Sequence, residues 1–192
     1  GNGGGDRLVL TLDAVPEADK LDLALTLDVP KGGTIAALAG LTQPLSARVG
    51  GKGDWKAWNG TIAADLGGAE LARLALTARN GTFAAKGPTR IARLFNGSTA
   101  ALLGPVTTLD LTAAFDQRRA AITGKAGSDA FTLDAKGGLD LANSRYDGLN
   151  LAFALLKPSA LAPNLSGSGL SANLTLDGDF AKPGVRYALN AA

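Results

Sequence analysis

The stretch KLDLALTLDVP, residues 20–30, decides the fold class. Leu21, Leu23, Leu25, Leu27 and Val29 recur at every second position, and Asp22, Ala24, Thr26 and Asp28 fill the gaps. Wound as a helix, the stretch would set Asp22 and Asp28 among the leucines; extended as a strand, it separates the two sets completely. Leucine and alanine favour helices intrinsically, so the pattern outweighs propensity. The spacing predicts a strand roughly 30 Å long, with one oily face and one wet face.

Working outward, the same phrase returns. Leu8, Leu10 and Leu12 alternate in RLVLTLDA, and Leu109, Leu111, Ala113 and Phe115 in TLDLTAAFD. Phe131 and Leu133 follow in FTLDAKG, Leu139 and Leu141 in GLDLANS, and Leu149, Leu151, Phe153 and Leu155 in GLNLAFALL. Leu170, Leu174 and Leu176 close the series. The tetrapeptide LTLD recurs at 10–13, 25–28 and 174–177, intervals too uneven for a fixed-period solenoid. A meander of similar strands fits better, and turn signals separate them. Asn80-Gly81 suits a type I′ hairpin, whose two central residues need positive φ. Residues 15–19, 116–118, 127–129 and Asp147-Gly148 are expected to be further hairpin tips. Thr34–Gly40 reads as a short helix capped by Thr34 and ended by Gly40. Residues 89–95 give a weaker helical signal, and 157–163 one turn. The expected fold is all-β: an antiparallel meander of about ten strands with two or three short helices that plug or cap a sheet. Residues 1–192 are expected to form one segment, with a candidate seam near 97–105 between two similar halves.

Composition narrows the chemistry. The chain has no cysteine and no histidine, which removes disulfides, thiolate nucleophiles, imidazole bases and imidazole metal ligands. The 19 basic residues are scattered and the net charge is only +2, so no nucleic-acid footprint is drawn. The absence of methionine suggests a mature or excised piece, and neither a signal peptide nor an apolar run long enough for a membrane helix is visible. Aromatic residues are 5% of the chain against 46% hydrophobic overall, so the oily faces are aliphatic.

Three candidate chemistries weaken on inspection. GNGGGD, residues 1–6, approaches the calcium-binding β-helix nonapeptide, but such sites need the motif in tandem and here it occurs once. GGKGDWKAWNG, residues 50–60, lacks the Walker A spacing and any wider basic surface; a turn or bulge flanked by Trp55 and Trp58 is the plainer reading. The aspartate pairs 22/28, 110/116 and 177/179 fall on polar faces or strand ends, where carboxylates confer solubility rather than glycosidase chemistry. No catalytic residue, metal site or cofactor is expected, and the chain does not read as an enzyme. What remains is the leucine faces. Burying one leucine is worth about 1.5–3 kcal/mol, so such faces must close on each other, on another domain or on a lipid-like ligand.

The combination of LDLALTLDVP, GGTIAALAG, GKGDWKAWNGTIAADLGG and LKPSALAPNLSGSGLSANLTLDG resembles the TamB type of the AsmA-like superfamily, in its alphaproteobacterial form. The resemblance runs over nearly the whole chain and implies a long sheet folded lengthwise like a taco around an aliphatic groove. It further implies a middle segment of a periplasmic protein of a Gram-negative bacterium, tethered to the inner membrane by a region outside these residues. Such proteins are implicated in moving phospholipid to the outer membrane and, through TamA or a BamA-like barrel, in outer-membrane protein assembly and secretion. On that reading the partners are phospholipid acyl chains and the barrel, reached through the full-length protein. The groove lining is expected to be Leu8, Leu10, Leu12, Leu21, Leu23, Leu25, Leu27, Leu109, Leu111, Phe115, Leu149, Leu151, Phe153, Leu174 and Leu176, with Trp55 and Trp58 at its edge. The competing expectation is a structural or adhesive β-sandwich module of a cell-surface protein with a closed core. A membrane β-barrel fragment is disfavoured by the missing aromatic girdles.

Overall fold

The computed structural model describes residues 5–15, 20–54, 56–162, 164–165, 167 and 169–190. The protein is all-β, and its strands pair with their neighbours in chain order as an antiparallel meander. They are β1 (Arg7–Val15), β2 (Lys20–Val29), β3 (Leu45–Gly53), β4 (Ala57–Leu66), β5 (Ala69–Arg79), β6 (Thr82–Thr89), β7 (Thr107–Asp116), β8 (Arg119–Gly127), β9 (Phe131–Asp140), β10 (Arg145–Leu155), β11 (Leu170–Asp179) and β12 (Lys182–Asn190). Helices α1 (Thr34–Ala39) and α2 (Gly97–Leu103) and 3₁₀ turns at Ile91–Leu94 and Pro158–Ala160 fill the longer connections. The described residues form twelve strands rather than about ten. The extra ones are rich in alanine and glycine, as in RAAITGKAG of β8, and carry too little hydrophobic contrast to announce themselves.

The chain divides into two compact units, residues 1–80 with 87–89, and residues 81–86 with 90–192. In the first unit α1 joins β2 to β3, and the buried side chains gather at that end of the strands. Val29 closes β2, Leu66 closes β4, and Leu71 lies beside a bulge in β5; all three are buried, as is Ala36 of α1. Thr34 does not cap α1. Its N-cap is Gly33, without a side-chain bond of its own, and the cap comes from Asp6, just before β1, whose carboxylate accepts from the Ile35 N–H at 2.8 Å. Gly33 leaves room for this: a Cβ there would collide with Asp6 Oδ1. The expected stop at Gly40 holds, with φ 66°.

In the second unit α2 and the turn at Pro158–Ala160 occupy the end where Thr107, Ala130, Phe131 and Leu155 are buried. The last carbonyls of α2 are satisfied by hydroxyls. Ser128 Oγ donates to the Leu102 oxygen and Thr107 Oγ1 to the Leu103 oxygen, both at 2.7 Å. Thr89 ends β6, so the helical signal at 89–95 contracts to Ile91–Leu94, and residues 97–103, read as a seam, are helical.

The hairpin tips follow local chemistry. Asn80 and Gly81 adopt φ 46° and 80°, as a type I′ turn requires. At residues 54–56 the Asp54 carboxylate accepts from the Lys56 and Ala57 N–H groups at 2.7 and 2.6 Å. Those donors, Ala57 first, hold its carboxyl below the usual value of 3.8. Asp140 is lowered likewise, chiefly by the side-chain amide of Asn143. Asp147-Gly148 is not a tip. It is a bulge within β10, where Gly148 has φ 61° and donates to Asp177 Oδ1 of β11 at 2.9 Å. The turn falls instead at residues 141–144, so Leu141 leaves the strand series. A Gly at a bulge and a Gly at a hairpin carry the same left-handed signal, which is why sequence alone placed the turn there.

Candidate functional site: the aliphatic face

The registers turn single-strand alternation into cross-strand rows. In the first unit Leu10 pairs with Leu25, Leu25 with Val49, Val49 with Ile62 and Ile62 with Leu74. The row below runs Leu8, Leu27, Ala47, Ala64, Ala72, and the row above Leu12, Leu23, Gly51, Gly60, Leu76. Leu21, opposite Ala14, joins the same face. All seven leucines expected in this unit therefore share one surface. The opposite surface carries Arg7, Asp28, Ser46, Asp65 and Glu70 in one row, and Val9, Thr26, Arg48, Ala63 and Arg73 in the next.

Trp58 explains the glycines in the upper row. A Cβ at Gly51 or Gly60 would collide with its indole ring, so the ring lies flat across both positions on the aliphatic face. Its Nε1 is buried and has no hydrogen-bond partner among the described residues. Trp55 lies outside the described residues.

The second unit repeats the arrangement over β7 to β12. One row is Leu109, Ala126, Leu133, Phe153, Ala172, Leu189; the next is Leu111, Gly124, Ala135, Leu151, Leu174, Tyr187. Leu149, Leu176 and Val185 form part of a third. Phe115 opposes Ala120 at the hairpin end and meets Phe83 edge to face, centroids 5.5 Å apart. Phe131 stacks on Phe153 at 5.8 Å, and Tyr146 meets Phe180 at 4.8 Å. All eight residues expected here share one face. On the other, Asp116, Arg119, Asp140, Arg145, Asp179 and Lys182 alternate in sign across six strands. Opposite charges in directly paired positions favour this register over its neighbours.

Burial separates the strand middles from the helix-bearing ends. Leu23, Leu25, Val49, Ile62, Leu74, Leu133, Leu151 and Leu174 are half-buried, whereas most of the fully covered strand residues lie at the ends already described; Ala120 beside the 117–118 tip and Gly124 in the middle of β8 are covered as well. Leu111 and Phe115 are each 42% exposed. The aliphatic rows thus retain apolar surface that nothing in their own unit fully removes from water. A depression of about 650 Å³ in the first unit is lined mainly by polar-face residues, among them Thr11, Asp13, Asp22, Lys52 and Thr61, and also by Leu23, Gly51 and Gly60 of the upper row.

Sequence reasoning missed Val49, Ile62, Leu74 and Leu76 in the first unit and Ile122, Val185, Tyr187 and Leu189 in the second. The signal existed for some of them, since LALT in β5 and VRYAL in β12 alternate. Among the described residues, no group of three or more acidic side chains converges as a metal site. No protein-family model matches the chain, and no curated protein or solved structure matches it.

Proposed function

We propose that the protein is a lipid-handling segment whose aliphatic rows take phospholipid acyl chains, as in a periplasmic TamB- or AsmA-like protein that moves lipid between two membranes. One observation carries this reading over the closed sandwich module: the middles of the strands are half-buried while the helix-bearing ends are dry. A closed sandwich buries the middles of its inner faces first, because the two sheets meet there. An acyl chain supplies the missing apolar contact at about 0.8 kcal/mol per methylene, and it needs no directional partner. Most of the side chains in the rows are leucine, valine, isoleucine and alanine, which offer grease without hydrogen bonds. The polar face, with its alternating charges, remains in water. No bond is made or broken, so the chain acts by shielding rather than by catalysis.

The test is photo-crosslinking. A benzophenone amino acid at Leu25, on the aliphatic face, should give a phospholipid adduct when the protein is irradiated with phosphatidylglycerol–phosphatidylethanolamine vesicles. The same group at Thr26, on the opposite face, should give little. Equal labelling at both positions, or none at Leu25 while a known lipid carrier is labelled, would sink the reading.

A further inference from the structure

Trp58 is the second residue of β4, beside the 54–56 tip, and its ring does not stay in its own cross-strand row. Its partners in that row are Gly53 and Ala78, and neither carries bulk. The indole leans instead along the strand onto the next row, where Gly51 of β3 and Gly60 of β4 face each other between Leu23 and Leu76. Its six-membered edge covers both glycines: a Cβ on Gly51 would run into Cζ2, and one on Gly60 into Cη2.

The glycines leave a depression that the ring did not create. A Cβ on Gly51 would also lie 2.6 Å from the Asn59 carbonyl oxygen, and one on Gly60 2.6 Å from that of Gly50. The two backbones themselves exclude side chains here, so bare peptide interrupts the aliphatic row whatever covers it. Indole is a poor cover. Nε1 is buried with no acceptor among the described residues, and an N–H taken from water without a partner lowers stability. A hydrocarbon chain covers the same peptide groups and strands no donor.

We propose that Gly51 and Gly60 form the floor of an acyl-chain subsite which Trp58 closes, and that an entering chain displaces the ring. The proposal rests on the lipid-handling reading and adds to it where one chain lies and what that chain must move. A chain running across the strands from Leu23 to Leu76 passes over both glycines, alongside Val49 and Ile62 of the middle row. It replaces the apolar contact that the ring gives up. The ring swings back over its own row, where Gly53 and Ala78 leave room, and Nε1–H donates to water or to the lipid headgroup. That regained hydrogen bond offsets part of the cost of moving the ring. Binding and release are therefore coupled, and the affinity for a chain is reduced by the share of molecules in which the ring is down.

The test uses monomeric lysophosphatidylglycerol, which carries a single acyl chain. The protein has two tryptophans, so its isotope-labelled form gives two indole N–H signals in a nitrogen–proton correlation spectrum, and the one lost in Trp58→Phe belongs to Trp58. Titration with the probe should move that signal downfield and open it to exchange with water, as the stranded donor finds a partner. Trp58→Leu opens the subsite and should bind the probe about tenfold more tightly than the wild type. Trp58→Phe keeps a ring but removes the donor that favours its release, and should bind about fivefold more weakly. A ring that is simply a fixed wall of the groove predicts weaker binding by both variants. Thermal melts check that each variant is folded. Benzophenone at Leu25, irradiated with the same probe, reports separately on the underlying reading. An indole signal that stays in place and protected while Leu25 is labelled, or a Trp58→Leu variant that binds no more tightly, overturns the subsite and leaves lipid handling standing. No labelling at Leu25 together with an unmoved indole signal overturns both.

Discussion

The helix-bearing ends of the strands and their middles are built from the same residue types but serve opposite purposes. At the ends, Val29 and Leu155 are 1% and 2% exposed. In the middles, Leu25 and Leu151 stand half-open in otherwise equivalent rows. The difference lies in what the connections supply. The longer loops fold into α1, α2 and the 3₁₀ turns, which lie at the ends where Val29 and Leu155 are buried, whereas the two-residue tips at 67–68, 80–81 and 117–118 carry no helix. The lesson is that alternation specifies a face but does not say whether the face is used for stability or kept available.

The sharpest way to break the comparison is to truncate one residue from each region. Leu155→Ala should cost about 2–5 kcal/mol, read from denaturant unfolding, because its neighbours cannot close the space. Leu25→Ala should cost about 1 kcal/mol, as a half-buried side chain has less area to lose, while lowering lipid labelling at neighbouring positions. Equal costs would show that the middles are core after all. Next in size, Gly51→Val drives the Trp58 ring off the sheet, for about 1–3 kcal/mol, with a shift in tryptophan fluorescence as the direct readout. Asp6→Ala removes the cap of α1 and should cost about 1 kcal/mol, with amide exchange rising first at Ile35.

The smallest effect concerns acid. The folded-state pKa of Asp54 lies below the ordinary 3.8, so its stabilisation of the 54–56 tip is complete above that value. It is lost as the pH falls through the lowered pKa. Exchange at the Lys56 and Ala57 amides should accelerate in that acid range, and Asp54→Asn should flatten the response.

How much of this was legible follows from contrast. Leu21–Leu27 announce their strand because leucine alternates with aspartate and threonine, and within each unit the leucines and phenylalanines read as one face do share one face. LSARVGGKG and RAAITGKAG pair just as regularly, yet glycine and alanine on both faces erase the period. Trp58 filling the space over Gly51 and Gly60 was beyond reach, because it depends on register across β3 and β4 rather than on neighbours in sequence. The Asp147-Gly148 bulge shows the same limit: local signals fix a backbone conformation, and pairing decides its use.

The bond from Asp6 to α1 does something that alternation cannot. A strand that slips by one residue turns its leucines into water and is rejected at once. One that slips by two keeps every leucine on the oily face, and in a leucine-rich pair such as β1 and β2 the mismatch is almost invisible. A two-residue slip, however, carries the Asp6 carboxylate roughly 7 Å from the Ile35 amide. The carboxylate bond thus works like the index mark on a vernier scale: the leucines set the coarse division, and one hydrogen bond, spanning 29 residues of chain, reads which division is correct.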